Sequence, residues 1–328
     1  MMLSVVTTLY GSADFVAEFS ERMSRAATSL TDDYEIIFVN DGSPDDSLAR
    51  VLQLFERDPH IRIIDLSRNF GHHKAMMTGL EHARGDLIFL IDVDLEEQPE
   101  WLIDFRGTMA RTGADVVYGV QQYRKGNLFE RLSGMLYYKA FNALLKHPIP
   151  ENLVTARLMS RRYVNGLVRH REHEMTLAPL WVITGFEQVA VKVDKTSRRA
   201  TSYSAAQRVS AFVDNVTSFS NRPLVYIFYL GSAILLLSAA AGAVLAWKVV
   251  HGEVGVAGWP TLIISIWFLG GITIFCLGVI GVYLSKVLTE SKDRPYTIVR
   301  QEYGHDRAAA GSMSQEPDAA TSTSPLGW

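Results

Sequence analysis

A chain of 328 residues with a formal net charge of −3 and a single cysteine is long enough to hold more than one buried core. The near-neutral balance excludes broad nucleic-acid binding, which needs a basic surface. Cys276, alone and inside an apolar run, excludes both an intramolecular disulfide framework and a multi-cysteine metal cluster.

The opening Met1-Met2-Leu3-Ser4-Val5-Val6 lacks the basic n-region of a signal peptide and passes directly into a strand pattern, so the N-terminal part is expected in the cytoplasm. Leu3 to Leu9 reads as a first strand and Ser12 to Leu30 as an amphipathic helix. Tyr34 to Val39 is a second strand, running into Asn40-Asp41-Gly42-Ser43 and a helix from Asp45 to Phe55. Ile61 to Leu66 is a third, followed by Ser67-Arg68-Asn69-Phe70-Gly71 and a helix to Ala83. Asp86 to Ile91 is the fourth, with a helix around Pro99 to Arg111, and Ala114 to Val120 is the fifth. Strands alternating with helices at this spacing predict right-handed crossovers and a mainly parallel sheet covered on both faces. Ligands of such sheets bind beyond the carboxyl ends of the strands.

The fourth strand runs into Asp92-Val93-Asp94-Leu95-Glu96-Glu97. Carboxylates this crowded repel one another unless a cation relieves them, and hard oxygen ligands suit Mg²⁺ or Mn²⁺. The alternative is a solvated helix N-terminus, where acids favour the dipole. Asp41, at the end of a neighbouring strand, favours a site; Glu97 reads as the start of the next helix. His72 and His73, at a helix start, lie within reach of a bound phosphate, and their spacing gives no metal pair. Asp32-Asp33 and Asp45-Asp46 read as turn and helix-start residues.

After the fifth strand, Leu128 to Leu145 has helical spacing but is apolar around much of its circumference, so core and lipid contact both remain open. Ser160 to His170 and Thr176 to Ile183 read as short helices, Phe186 to Val193 as a strand, and Lys195 to Tyr203 as a basic loop. Val209, Phe212, Val213, Val216 and Phe219 form one stripe at helical spacing, expected in a membrane interface. Leu224 to Trp247 and Val254 to Ser285 carry no charge, and each is long enough to cross a hydrocarbon core of about 30 Å. Arg208, Arg222, Lys286, Lys292, Arg294 and Arg300 flank the pair on its outer sides, whereas the connection holds only Lys248, which places both termini in the cytoplasm. From Gly304 the tail has the composition of a disordered segment.

Several ordered motifs resemble family 2 glycosyltransferases of the polyprenyl-phosphate sugar transferase type, the group of dolichol-phosphate mannose synthases and bacterial undecaprenyl-phosphate glucosyltransferases. Val5 to Tyr10 stands at the family's first-strand motif, Asn40-Asp41-Gly42-Ser43 at its Asp-Gly-Ser turn, Arg68-Asn69-Phe70-Gly71 at its Arg-Asn-x-Gly turn, and Asp92-Val93-Asp94 at its Asp-x-Asp. Arg157-Leu158 matches the end of its Asp-Phe-Arg-Leu stretch. Phe219 to Leu224 and Arg294 to Val299 match its entry into, and exit from, the membrane. The resemblance spans the first strand to Tyr303.

It implies an α/β fold class: a doubly wound, mainly parallel sheet of the GT-A type followed by a two-helix transmembrane hairpin. The boundaries it implies are a cytoplasmic domain over 1–204, a juxtamembrane amphipathic helix over 205–223, membrane helices at about 224–248 and 260–285, a cytoplasmic segment over 286–303 and a tail over 304–328. Tyr10 and Asp41 are placed around the nucleobase, Asp92 at the nucleoside, and Arg124 at the donor diphosphate. Asp94 is expected to bind the metal, with Glu96 as a further ligand. Arg157, Lys195, Arg198 and Arg199, with Thr201 and Tyr203, are expected to hold the acceptor phosphate, Arg157 also counting as catalytic. The implied partners are a nucleotide-sugar, a polyprenyl phosphate, membrane lipid and further copies of the chain, in a tetramer at the cytoplasmic membrane; no nucleic acid is expected.

The sequence departs from the pattern in places. Thr8 and Gly11-Ser12 replace a Pro and Asn-Glu, and Arg199 replaces a Gly. Thr155 stands where many members carry an Asp sometimes assigned as base. A phosphate acceptor tolerates that loss, because its second pKa is about 6 and it is largely ionised at neutral pH. Glu151, Glu172 and Glu174 are the substitute candidates, and Arg161-Arg162 reads as a solvated or headgroup-facing pair. The expected reaction is inverting, metal-dependent transfer of a hexose-type sugar from a UDP-sugar to undecaprenyl phosphate. Its rivals are transfer to a lipid-linked glycan or other hydroxyl, and a non-catalytic nucleotide-sugar-binding scaffold. A dinucleotide oxidoreductase is disfavoured, because Tyr10-Gly11-Ser12 is not a Gly-x-Gly-x-x-Gly turn.

Overall fold

The computed structural model describes residues 1–121, 148–150, 152–172, 175–195, 217, 222–251 and 258–305. The order of described elements is β1 (Leu3–Leu9), α1 (Val16–Thr28), β2 (Tyr34–Asn40), α2 (Ser47–Phe55), β3 (Ile61–Leu66), α3 (His72–His82), β4 (Leu87–Leu90), α4 (Trp101–Thr112), β5 (Val116–Gln121), β6 (Leu153–Ser160), α5 (Arg161–Leu167), α6 (Leu177–Ile183), β7 (Gln188–Val193), α7 (Arg222–Val250), α8 (Trp259–Ser291) and β8 (Val299–Tyr303).

Every residue of β1, β2 and β3 is buried, which only a sheet covered on both faces allows. Alternate side chains feed two cores. On one face Val5, Phe38, Ile63 and Phe89 pack under α1, α2 and α4 through Phe19, Met23, Val51, Leu102 and Phe105. On the other, Val6, Ile37, Ile64 and Leu90 pack under α3, α5 and α6 through Met77, Leu80, Val164, Leu167 and Leu180. Helix α1 shows why: Val16, Phe19, Met23, Ala26 and Ala27 recur at three- and four-residue steps along one buried stripe. Helix α3 lies so close to the sheet that a Cβ on Gly79 would fall 2.4 Å from Val6 Cγ1.

The strand order is β7-β5-β6-β4-β1-β2-β3-β8. β4-β1-β2-β3 is parallel throughout, and β5 pairs parallel with β7. β6 enters antiparallel between β4 and β5, and β8 antiparallel against β3. Four of the seven pairings are parallel and three antiparallel, so the sheet is mainly parallel, as expected, with β6 and β8 as its antiparallel strands. Both antiparallel strands escape the sequence pattern. β6 (LVTARLMS) carries Arg157 in its middle, opposite Leu90 on one side and Tyr118 on the other. β8 (VRQEY) is a polar edge strand without an apolar alternation.

Helices α7 and α8 follow. Within α8, Ser265–Ser291 is apolar and, at 27 residues, long enough to cross a membrane, about 40 Å at the usual helical rise. Its outward side chains include Trp267, Ile274, Phe275 and Leu284, all exposed. A proline in its first turn suits a helix start. From Ser291 the chain returns to the sheet: Tyr296 Oη donates to Glu81 at 2.7 Å, Thr78 and Thr297 share a 2.8 Å hydroxyl contact, and β8 follows. The stretch Leu128 to Leu145, the amphipathic stripe apart from residue 217, the connection over 252–257 and the tail from 306 lie outside the described residues.

Candidate active site

The site forms where β1, β2 and β4 end together. β1 runs into Tyr10, whose ring is 54% exposed, and Gly11 turns the chain with a left-handed φ of 63°. The Asp41 N–H bonds Leu9 O at 3.0 Å, so β1 and β2 leave the sheet side by side. Asp41 itself is buried. Its Oδ1 accepts the Phe70 N–H at 2.7 Å and its Oδ2 the Gly71 N–H at 3.0 Å, which locks the Arg68-to-Gly71 turn onto the Asn40-to-Ser43 turn. Burial raises the Asp41 carboxyl above its usual range, against those two N–H donors. Gly42 permits the contact, since a Cβ there would lie 2.5 Å from Asn69 N. Asn40 completes the joint, donating to Asp65 at 2.7 Å and accepting from Ser43 N at 3.2 Å. Asp65 also meets Arg300 of β8 at 3.3 Å.

Asp45 organises the neighbouring loop. It accepts the Ala13 N–H and the hydroxyls of Ser43 and Ser47. Burial alone would raise its pKa, but these donors hold it well below the usual carboxylate range. A sequence pattern that reads as an ordinary helix start is thus the brace of the first-strand loop.

Beyond β4 the acidic segment divides. Asp92 accepts the Thr155 hydroxyl at 2.9 Å through Oδ2, and its Oδ1 stands 3.2 Å from His72 Nε2. Burial opposes its ionisation, yet His72, Thr155 and Lys195 together hold its pKa low. Asp94 Oδ1 accepts the Glu96 N–H at 3.0 Å, closing a short Asx-type turn. That turn puts Leu95, buried, at a left-handed φ of 58°, a strain of about 1 kcal/mol for a residue with a Cβ. Burial and then the charges of Asp92 and Glu96 raise the Asp94 carboxyl, while the Glu96 N–H and Lys195 pull it back. Glu97 is not a solvated helix-start residue. Its side chain is fully buried and accepts the N–H groups of Thr155 and Ala156 at 2.9 and 2.8 Å. Burial, and next the Asp92 charge, push its carboxyl upward.

Lys195 lies over this segment, 3.3 Å from Glu96 and 3.7 Å from Glu97. Partial burial works against its charge, but the four carboxylates of the segment raise its pKa. Arg157 is 1% exposed on β6, its guanidinium against the Trp181 ring and its Nε donating to Thr155 O at 3.2 Å. Burial lowers its pKa to about 9.

Of the residues singled out in the sequence, Tyr10, Asp41, Asp92, Asp94, Glu96 and Lys195 come together at the carboxyl end of the sheet, and Arg157 lies beneath them. Arg124, Arg198, Arg199, Thr201 and Tyr203 lie outside the described residues, as do Glu151 and Glu174. Glu172 is raised to about 6 by burial and by Glu290 of α8, and so belongs to the helix junction. Arg162 pairs with Asp115, and Arg161 donates to Gly85 O, so both brace the start of α5. Local reading named His72, Thr155 and Glu97 but missed how they join the site, and it took Glu97 for a helix start. Their partners are far off in the chain, and no short-range pattern marks them. The donor set around Asp94 is entirely carboxylate oxygen, which fits Mg²⁺ or Mn²⁺. Among the described residues no group of three such side chains cages an ion.

Residues 4–167 match the family model described as glycosyl transferase family 2. A Mycobacterium tuberculosis (strain CDC 1551 / Oshkosh) protein described among glycosyltransferases is 51% identical over 306 residues, 93% of this chain and 90% of that one. A Synechocystis glycosyltransferase is 34% identical over 305 residues, 92% of this chain and 96% of its own length. The bactoprenol glucosyl transferase of Shigella phage SfV is 30% identical over 309 residues, covering 92% of this chain and 99% of the phage protein.

Proposed function

The chain belongs to glycosyl transferase family 2 and is a glycosyltransferase; from that premise we propose that it moves a hexose-type sugar from a UDP-sugar to a polyprenyl phosphate at the cytoplasmic membrane face, inverting the anomeric carbon. The observation that carries the proposal is the return of the chain from α8 into the sheet. An apolar helix of membrane-crossing length ends at Ser291, and β8 then pairs with β3 beside the Asp41 turn. A catalytic sheet anchored in this way suits an acceptor embedded in lipid. The phage relative's description, a bactoprenol glucosyl transferase, supports the same acceptor class.

In this reading the nucleobase lies by Tyr10 and the Asp41 turn, with the donor sugar and diphosphate towards Asp92 and Asp94. The lipid phosphate oxygen attacks the anomeric carbon. The bond from that carbon to the nucleoside diphosphate breaks, and its electron pair leaves with the diphosphate. A Mg²⁺ or Mn²⁺ ion held by Asp94 and Glu96 would supply neutralisation of that leaving charge. Lys195 and the basic loop after it, with Arg198, Arg199, Thr201 and Tyr203, take the acceptor phosphate, and Arg124 the donor diphosphate. Burial under Trp181 gives Arg157 the role of holding Thr155 and the end of β6 in place. The α7 and α8 helices form the membrane hairpin, with the catalytic sheet and both termini cytoplasmic.

A phosphate acceptor is favoured over a hydroxyl because the position that would supply a base is Thr155, whose hydroxyl is already given to Asp92. The test uses the full chain in lipid nanodiscs with radiolabelled UDP-hexoses, undecaprenyl phosphate and Mg²⁺ or Mn²⁺. A labelled, lipid-extractable, acid-labile product is expected. No such product with any donor would sink the proposal, and label appearing only on a lipid-linked glycan would move it to the hydroxyl-acceptor reading.

A further inference from the structure

Four side chains from four elements stand in one line at the end of the sheet. Thr8, near the end of β1, has its Oγ1 3.0 Å from Nδ1 of His72, the first residue of α3. Nε2 of the same ring is 3.2 Å from Asp92 Oδ1, and Asp92 Oδ2 accepts the hydroxyl of Thr155 on β6 at 2.9 Å. Both ring nitrogens and both carboxylate oxygens are thereby engaged. An ionised Asp92 only accepts, so Nε2 must carry a proton and Thr155 must donate. Asp92 Oδ1 is sealed from solvent, and the group that faces it is His72 Nε2 at 3.2 Å. Burial disfavours a charge on that ring. Asp92, then Asp41 and Glu97, outweigh burial and raise the His72 pKa, with His73 alongside on α3 and Lys195 on the far side of Asp92.

The two ends of this line are positions at which the sequence departs from its family's pattern. A proline at 8 would offer no hydroxyl to His72. An aspartate at 155 would set a second carboxylate against Asp92 and remove the donor that holds its Oδ2. With threonine at both ends the line is self-consistent, with a donor facing every acceptor.

We infer that Thr8, His72 and Thr155 are positioning residues that fix Asp92 as a single, oriented acceptor for the nucleotide-sugar donor. The inference rests on the donor reading given above. His72 is half-exposed at the site, yet acts on the donor through Asp92. The value of the arrangement is preorganisation, because an acceptor already held in its bound rotamer spends no ordering entropy when the donor arrives.

The test is a set of double-mutant cycles on the full chain in nanodiscs, read as affinity for UDP and UDP-hexoses by calorimetry. His72→Gln is expected to weaken donor binding about tenfold, the scale of one hydrogen bond to a charged group, and Thr155→Val about three- to tenfold. Thr155→Ser, which keeps the hydroxyl, is expected to bind within about twofold of the parent, and serves as the folding control. In an Asp92→Asn background the His72 and Thr155 changes should each cost less than about twofold, since their route to the donor is gone. Selective ¹⁵N labelling of histidine should show the His72 ring titrating at a lower pH in Asp92→Asn than in the parent. Equal losses with and without Asp92, or an unchanged ring titration, overturn the inference while leaving the donor reading intact. A parent protein that binds no nucleotide at all overturns the donor reading, and this inference falls with it.

Discussion

The carboxylate of Glu97 accepts the backbone N–H of Thr155 at 2.9 Å, and its second oxygen takes the next N–H, of Ala156, at 2.8 Å. One side chain thereby stitches the loop after β4 to the strand inserted beside it. Glu97→Ala leaves a buried and a part-buried N–H group without an acceptor, at roughly 1–3 kcal/mol each, so a loss of about 2–6 kcal/mol is expected. Urea unfolding measures it, and hydrogen exchange should rise first at the Thr155 and Ala156 amides. Unchanged stability would remove Glu97 from its structural role.

Asp94→Asn should separate chemistry from folding. The amide oxygen can still accept the Glu96 N–H, so the Asx-type turn survives and the melting temperature should stay within a few degrees. On the reading proposed above, the carboxylate charge that would hold the cation at the departing diphosphate is lost, and kcat for sugar transfer is expected to fall by about 100-fold or more, the scale of losing one preorganised electrostatic contact. Single-turnover assays with UDP-sugar and lipid phosphate would decide it.

Gly42 sits where neither space nor backbone allows a side chain. Its φ is 60°, and an added Cβ would fall 2.5 Å from Asn69 N and 2.6 Å from Arg68 C. Gly42→Ala is expected to cost about 2 kcal/mol or more. It should also pry the Asp41 turn from Phe70 and Gly71, raising KM for the donor. A thermal melt together with donor titration checks both halves.

Glu172 gives a pH prediction. Burial, and then the charge of Glu290, raise its folded pKa from the ordinary 4.5 to about 6. An acid whose folded pKa is raised contributes stability that is complete below the unfolded value and is lost as pH rises through the folded one. Stability should therefore decline between about pH 4.5 and 6, by about 1 kcal/mol once solvent screening is allowed for. Glu172→Gln should raise the melting temperature at pH 8 and leave it nearly unchanged at pH 4.5. The opposite order would disprove the Glu172–Glu290 repulsion.

The alternation from β1 to β5 was legible because the strands are largely buried, β1 to β3 throughout, and each intervening helix carries its apolar residues at helical steps, so composition and period point the same way. The acidic loop and the Asp41 turn were legible for a related reason: parallel crossovers carry every strand end to the same side, so motifs that follow strands must meet. β6 was not legible. A strand with an arginine at its centre is stable only because Trp181, on α6, covers the guanidinium, and nothing near Arg157 in the chain announces that partner. β8 was hidden too, since an edge strand needs backbone partners more than an apolar pattern.

The sequence by itself determined the order of elements from β1 to β5, the end of the sheet at which the acidic motifs meet, the apolar stretch in α8 and, through motifs in order, the family. Those properties follow from periodicity and from residue types that are neighbours in the chain. Only the tertiary structure decided which carboxylate does what. Asp92, Asp94 and Glu97 differ little as letters, yet one is tied to His72 and Thr155, one closes a turn under Leu95, and one is sealed beneath the backbone of β6. The physical reason is that the chemistry of a carboxylate is set by burial and by the donors within about 3 Å of it, and those donors arrive from strands and helices far away in the chain.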